Sequence, residues 1–134
     1  MKETDKMLTL GEAQLRKRKK VYLISRFAGN IDENVEDARE FARYLIAIEH
    51  KIPIASHLIY PQIFGVCGGT GEPDELRTLG MAYGLALMEG CDEAYVFTNG
   101  QKPSAGMERE ITEALRLELP ITYINEEASK IWRR

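Results

Sequence analysis

The residues best equipped for chemistry stand in "SAGMEREITEA", Ser104 to Ala114. The stretch reads as the start of a helix, with Ser104 as the cap whose hydroxyl accepts from an orphan amide of the first turn. A reciprocal cap is missing, because Met107 stands where Glu or Gln would close it. Gly106 costs the helix about 1 kcal/mol relative to alanine unless something, such as a ligand, needs the bare backbone. At helical periodicity Met107, Ile111, Ala114, Leu115 and Leu117 form an apolar arc, and Glu110 falls inside it. Three and four residues away stand Met107, Gly106, Glu113 and Ala114, so no cation of the same helix faces Glu110. A carboxylate on a buried face must find hydrogen bonds, a cleft or a ligand; the alternative is a tip that reaches solvent from the rim.

Other candidates lie in other loops. "SRFAGNIDEN" offers Arg26, Gly29, Asn30 and Asn34, a plausible cradle for an anionic group just past a buried strand. His57 is either a packed, hydrogen-bonded side chain or a ligand contact. Tyr60, Pro61 and Phe64 form either an apolar wall for a flat ring or a loop anchor. The glycine-rich "GVCGGTGE" lacks the Lys-Ser/Thr that would complete a phosphate loop, and reads as a mobile loop. Cys67, Cys91, His50 and His57 are too few and too scattered for a zinc site or a disulfide framework, so neither metal nor cofactor is expected.

Elements must bring these loops together. From Val21 the signals alternate: "VYLIS" as a strand, a turn with Gly29, then a helix through "ENVEDAREFARYLIAIEH" with Val35, Ala38, Ala42, Leu45 and Ile46 at helical spacing. "IPIASHLI" reads as a second strand, and residues 73–89 as a second helix, opened by Pro73 and closed by Gly90. Gly80 and Gly84 share one side of it, where another helix, a second copy of the chain or a ligand can approach. "EAYVF" is a third strand, "SAGMEREITEALRLE" a third helix and "PITYI" a fourth strand, with a last helical turn in "NEEASKIWRR". This order predicts a three-layer α/β sandwich, flavodoxin- or Rossmann-like, on a mainly parallel sheet of four to five strands. In such sheets ligands bind at the carboxyl ends of the strands, where the candidate loops fall.

Composition sets the bounds. The 134 residues, 44% hydrophobic and 29% charged, suit one ordinary globular domain, here residues 20–134. Residues 1–19 form a polar extension, expected to be partly disordered, whose "RKRKK" is either a nucleic-acid arm or the charged flank of a strand. A formal charge of −3 gives no general attraction to nucleic acid or to an anionic membrane. No segment approaches the ~20 apolar residues of a membrane span, and a cytoplasmic setting is expected.

Over residues 20–124 the motifs "RFAGNIDEN", "IPIASHLIYPQ", "LGMAYGLALMEGCDEAYVF" and "SAGMEREITEA" together resemble the nucleoside 2-deoxyribosyltransferase-like superfamily. Within it, the chain is most similar to a branch of small, largely uncharacterised bacterial and phage domains. The resemblance implies that Glu110 attacks the anomeric carbon of a nucleoside to form a covalent ribosyl-enzyme, by the logic of retaining glycosidases. It also implies, through Ser104 and Gly106, a phosphate site and hence a nucleoside 5′-monophosphate, with Arg26, Gly29 and Asn34 as sugar or phosphate contacts. Homodimers or larger homo-oligomers are implied too. One position departs from the pattern: active relatives carry an aspartate on the helix before the third strand, and "MAYGLA" has none. Asp74 or Glu75 could substitute, and Asp92 matches a position that looks structural. Two readings follow: an N-glycosidase or deoxyribosyltransferase, or a non-catalytic module that senses or sequesters a nucleotide.

Overall fold

The structure, a computed structural model, describes residues 11–64 and 74–133. Of the extension read from sequence, residues 11–15 are helical. The domain then runs β1 (Lys20–Ile24), α1 (Ile31–Ala47), β2 (Ile52–Ile54), a 3-10 turn (Ser56–Leu58), α2 (Tyr60–Phe64), α3 (Asp74–Met88), β3 (Glu93–Phe97), α4 (Ala105–Arg116), β4 (Ile121–Ile124) and a closing 3-10 segment (Ala128–Arg133). The glycine-rich "GVCGGTGE", Cys67 and Pro73 lie outside the described residues.

All four strands are parallel, in the order β2-β1-β3-β4. Parallel strands covered on both faces need apolar side chains at consecutive positions, and β1 buries Val21, Tyr22, Leu23 and Ile24 in a row. Side-chain alternation divides the core into two layers. Val21 and Leu23, with Tyr95, Phe97 and Ile124, pack against Phe41, Tyr44 and Leu45 of α1, and against Ile131. Tyr22 and Ile24, with Ala94 and Val96, face Met88 of α3 and Met107, Ile111 and Ala114 of α4. The chain leaving β1 turns toward β2 while the chain leaving β3 turns toward β4, so the switch in strand order lies between their carboxyl ends.

Local chemistry sets the helix boundaries. The Asn30 side chain accepts from Glu33 N to start α1, and the Ser104 hydroxyl accepts from Met107 N at 3.3 Å to start α4. α4 ends as Glu118 enters the left-handed region at φ 57°, with Glu118 N bonded to Leu115 O and Leu119 N to Ala114 O. Asp92, between α3 and β3, accepts the Lys20 amide at 2.7 Å and so fastens the start of β1.

Three expectations need correction. β2 ends at Ile54 and does not run through "IPIASHLI": Leu58 N bonds back to Ala55 O and Ile59 N to Ser56 O, so the chain coils inward under β1. Leu115 is 63% exposed, because α4 meets the sheet through a narrower arc of Met107, Glu110, Ile111 and Ala114. On α1 the buried stripe turns toward Phe41 and Tyr44, leaving Ile46 exposed.

Candidate functional site

Tyr22 is the centre of the site. It lies mid-strand on the α3/α4 side, is wholly buried, and sends its hydroxyl between two elements. That hydroxyl donates to Glu110 Oε2 of α4 at 2.7 Å and lies 2.9 Å from Ser56 Oγ of the 3-10 turn. Room for the meeting comes from Gly84 of α3. A Cβ there would stand 3.0 Å from the Tyr22 hydroxyl and 3.3 Å from Ser56 Oγ.

Glu110 is 2% exposed. Burial raises its carboxyl to about 8, a rise the hydrogen bond from Tyr22 partly opposes. The Tyr22 phenol is pushed far above its ordinary value, first by burial and then by the neighbouring carboxylate. His57 Nε2 stands 3.0 Å from Ser25 O and 3.9 Å from Glu110 Oε1. Burial lowers the imidazole to about 4, so the ring is neutral at pH 7. A carbonyl oxygen can only accept, which puts the ring proton on Nε2. The ring also stacks on Phe27, with centroids 4.9 Å apart.

Beside these groups lies a cavity of about 350 Å³, large enough for a small organic ligand. Its walls are largely apolar and aromatic: Phe27 and His57 from the β1 and β2 loops, Tyr60 and Phe64 from α2, Met81 from α3 and Met107 from α4. Four residues singled out in the sequence, Ser104, Gly106, Glu110 and His57, lie in this lining together, as do Tyr60, Pro61 and Phe64. Gly80 and Gly84 expose the α3 backbone to it. Near Gly106 the closest non-local atom to an added Cβ would be Met81 Cε at 3.5 Å.

Arg26, Gly29 and Asn34 stand outside the lining and act on the loop that delivers Phe27 and Ala28 to it. Arg26 Nη2 donates to Lys102 O at 2.7 Å, tying the β1–α1 loop to the approach of α4. Asn34 Nδ2 donates to Phe27 O and Ala28 O, and Gly29 turns the chain at φ 101°. The side chains of Asp74 and Glu75 lie outside the described residues.

Sequence reasoning missed Tyr22, Ser56 and the lining residue Arg77. A usable signal existed for the first: a phenol inside a strand buried on both faces has to hydrogen-bond something. Ser56 was hidden by reading β2 too long. Among the described residues no three His, Cys, Asp or Glu side chains gather as a metal-ligand set. No described helix is long and apolar enough to cross a membrane.

An all-parallel doubly wound sheet, with a cavity at the carboxyl ends of β1 and β3 and a buried carboxyl on its wall, defines an α/β domain whose cavity lies at its switch point. Residues 19–124 match the family described as Domain of unknown function (DUF7768), and the chain belongs to that family. No curated protein matches the chain.

Proposed function

We propose that the cavity binds a nucleoside 5′-monophosphate and that Glu110 cleaves its N-glycosidic bond, with transfer of the sugar to water or to a second base. The observation that carries this reading is the placement of Glu110: a buried carboxyl on the cavity wall, held by Tyr22, one turn inside a helix whose first residues line the same cavity. In the first step a Glu110 oxygen bonds to the anomeric carbon as the bond to the base breaks, and the base leaves with that electron pair. In the second, water or another base takes the sugar and frees the carboxylate. Positive charge developing on the sugar favours the ionised carboxyl, and the Tyr22 hydrogen bond favours it further. The amides at the start of α4 suit the phosphate. A cytoplasmic place of action and a homodimeric or larger assembly belong to the same reading, which involves neither metal nor nucleic acid.

A second reading, a module that binds the nucleotide without reacting, draws on α3. That helix presents Leu76, Gly80, Met81 and Gly84 to the cavity beside Arg77, and none of these can protonate a departing base. Leaving-group protonation is worth about 100-fold or more.

Incubation with a panel of nucleosides and their 5′-monophosphates, following both free base and binding, separates the two. Base release abolished by Glu110→Ala supports the enzyme. Binding without release supports the module, and neither behaviour across the panel defeats both.

A further inference from the structure

We infer that Ser56 is a positioning residue for Glu110: it closes a directed hydroxyl chain, Ser56 to Tyr22 to Glu110, that presents the Tyr22 proton to the carboxylate and reverses when Glu110 is protonated. The argument is one of proton counting. A phenol carries one hydrogen and can donate once. An ionised Glu110 can only accept, so the 2.7 Å contact uses the Tyr22 proton. The 2.9 Å contact with Ser56 is then a hydrogen bond only if Ser56 donates. When Glu110 carries a proton, it can donate to the Tyr22 oxygen, and Tyr22 turns its own hydrogen to Ser56 Oγ. A hydroxyl on one side of the phenol and a carboxyl on the other, each able to donate or accept, are what permit the reversal. Alanine at position 56 would leave Tyr22 without a donor in the first state and without an acceptor in the second.

The fold places Ser56 for this task. β2 stops at Ile54, and the 3-10 turn brings the serine beneath β1, where it is buried. Gly84 clears the space opposite. The titratable and charged groups around the chain come from each packed element. His57 reaches Glu110 Oε1 from the same turn, Cys91 shares the buried cluster of Tyr22 from the segment before β3, and Arg77 stands on the α3 wall of the cavity. On α4 the neighbours Met107, Ile111 and Ala114 are apolar. In a site this buried, a donor behind the phenol strengthens the bond the phenol makes in front.

The catalytic meaning of the chain rests on the reading of Glu110 as nucleophile, but its existence does not, so the test uses the unliganded full chain. The Glu110 carboxyl carbon is titrated by NMR in wild type, Ser56→Cys, Ser56→Ala and Tyr22→Phe, with Glu110→Gln fixing the assignment. Because the charge-assisted bond to the carboxylate loses more than the neutral bond of the protonated form, the midpoint should rise in that order, by about half a pH unit for Ser56→Ala and about one for Tyr22→Phe. Should the alanine variant not fold, the weaker thiol donor of Ser56→Cys carries the comparison. An unchanged or lowered midpoint in the folded Ser56 variants overturns the inference. If the wild type releases no base from any nucleotide, the function reading fails while this titration still decides the role of Ser56.

Discussion

Tyr22 and Glu110, 88 residues apart in the chain, share a 2.7 Å hydrogen bond inside the core. The phenol is donor to a carboxyl that burial has made reluctant to ionise, and that reluctance is stored in the stability of the fold. Folded Glu110 keeps its proton to about pH 8, whereas the unfolded chain releases it near 4.5, so its contribution falls as pH rises across that window. His57 acts oppositely: unfolded it takes a proton near 6.5, folded only near 4, and stability is lost as pH falls through that window. The two slopes offset each other between 4.5 and 6.5, and of the two only Glu110 acts between 6.5 and 8. Denaturant unfolding should therefore show roughly 2 kcal/mol lost between pH 6.5 and 8 in wild type, and little of that loss in Glu110→Gln.

Two glycines on one helix should respond in opposite directions. Gly84→Ala puts a methyl 3.0 Å from the Tyr22 hydroxyl and should destabilise by about 1–3 kcal/mol, despite alanine's better helix propensity. Among the described residues Gly80→Ala meets only Phe64 Cε2 at 3.9 Å and should stabilise by up to about 1 kcal/mol. Thermal melts of the two variants make the comparison.

Glu118 closes α4 in the left-handed region, a conformation that costs an L-residue about 1 kcal/mol or more. Glu118→Gly keeps the two closing hydrogen bonds, which are made by backbone groups, and relieves that cost. The melting temperature should rise by a few degrees.

Ser104 separates a structural role from a binding one. Ser104→Ala loses the bond to Met107 N and should cost about 1 kcal/mol. Ser104→Asp retains a competent cap and should melt near wild type, yet on the reading proposed above its charge repels a 5′-phosphate. Calorimetry with a nucleoside and its monophosphate should show the aspartate variant losing the preference for the phosphorylated ligand.

Much of the layout was legible because β1, β3, α1 and α4 are strongly patterned, and because Ser104 caps where its type suggested. The pattern of "SAGMEREITEA" also located the buried carboxyl, since Glu110 sits among Met107, Ile111 and Ala114. β2 was overread because Ala55, Ser56 and His57 continue an extended-looking run, and their turn is fixed from outside by Tyr22 and by Ser25 O. Arg26 stands in the loop after β1 and Asn34 in the first turn of α1, as their positions in the sequence imply, but the partners that turn them onto Lys102 O, Phe27 O and Ala28 O depend on tertiary packing. Glu110's principal partner could not be read from its own helix, because it lies across the sheet interface on β1.

The parallel sheet also orders events during synthesis. β1 leaves the ribosome before the other three strands, yet Val21 ends up between Pro53 of β2 and Glu93 of β3, so the strand waits for segments made much later before both its edges are filled. No two neighbouring strands here can pair as a tight hairpin, and every pairing closes a long loop, which slows folding. Through that interval Val21–Ile24 is an apolar segment with an open edge, a feature that favours aggregation in incompletely folded chains. Tyr22 lies on β1 and Glu110 on α4, so their hydrogen bond forms only after β2, α3 and β3 have been made.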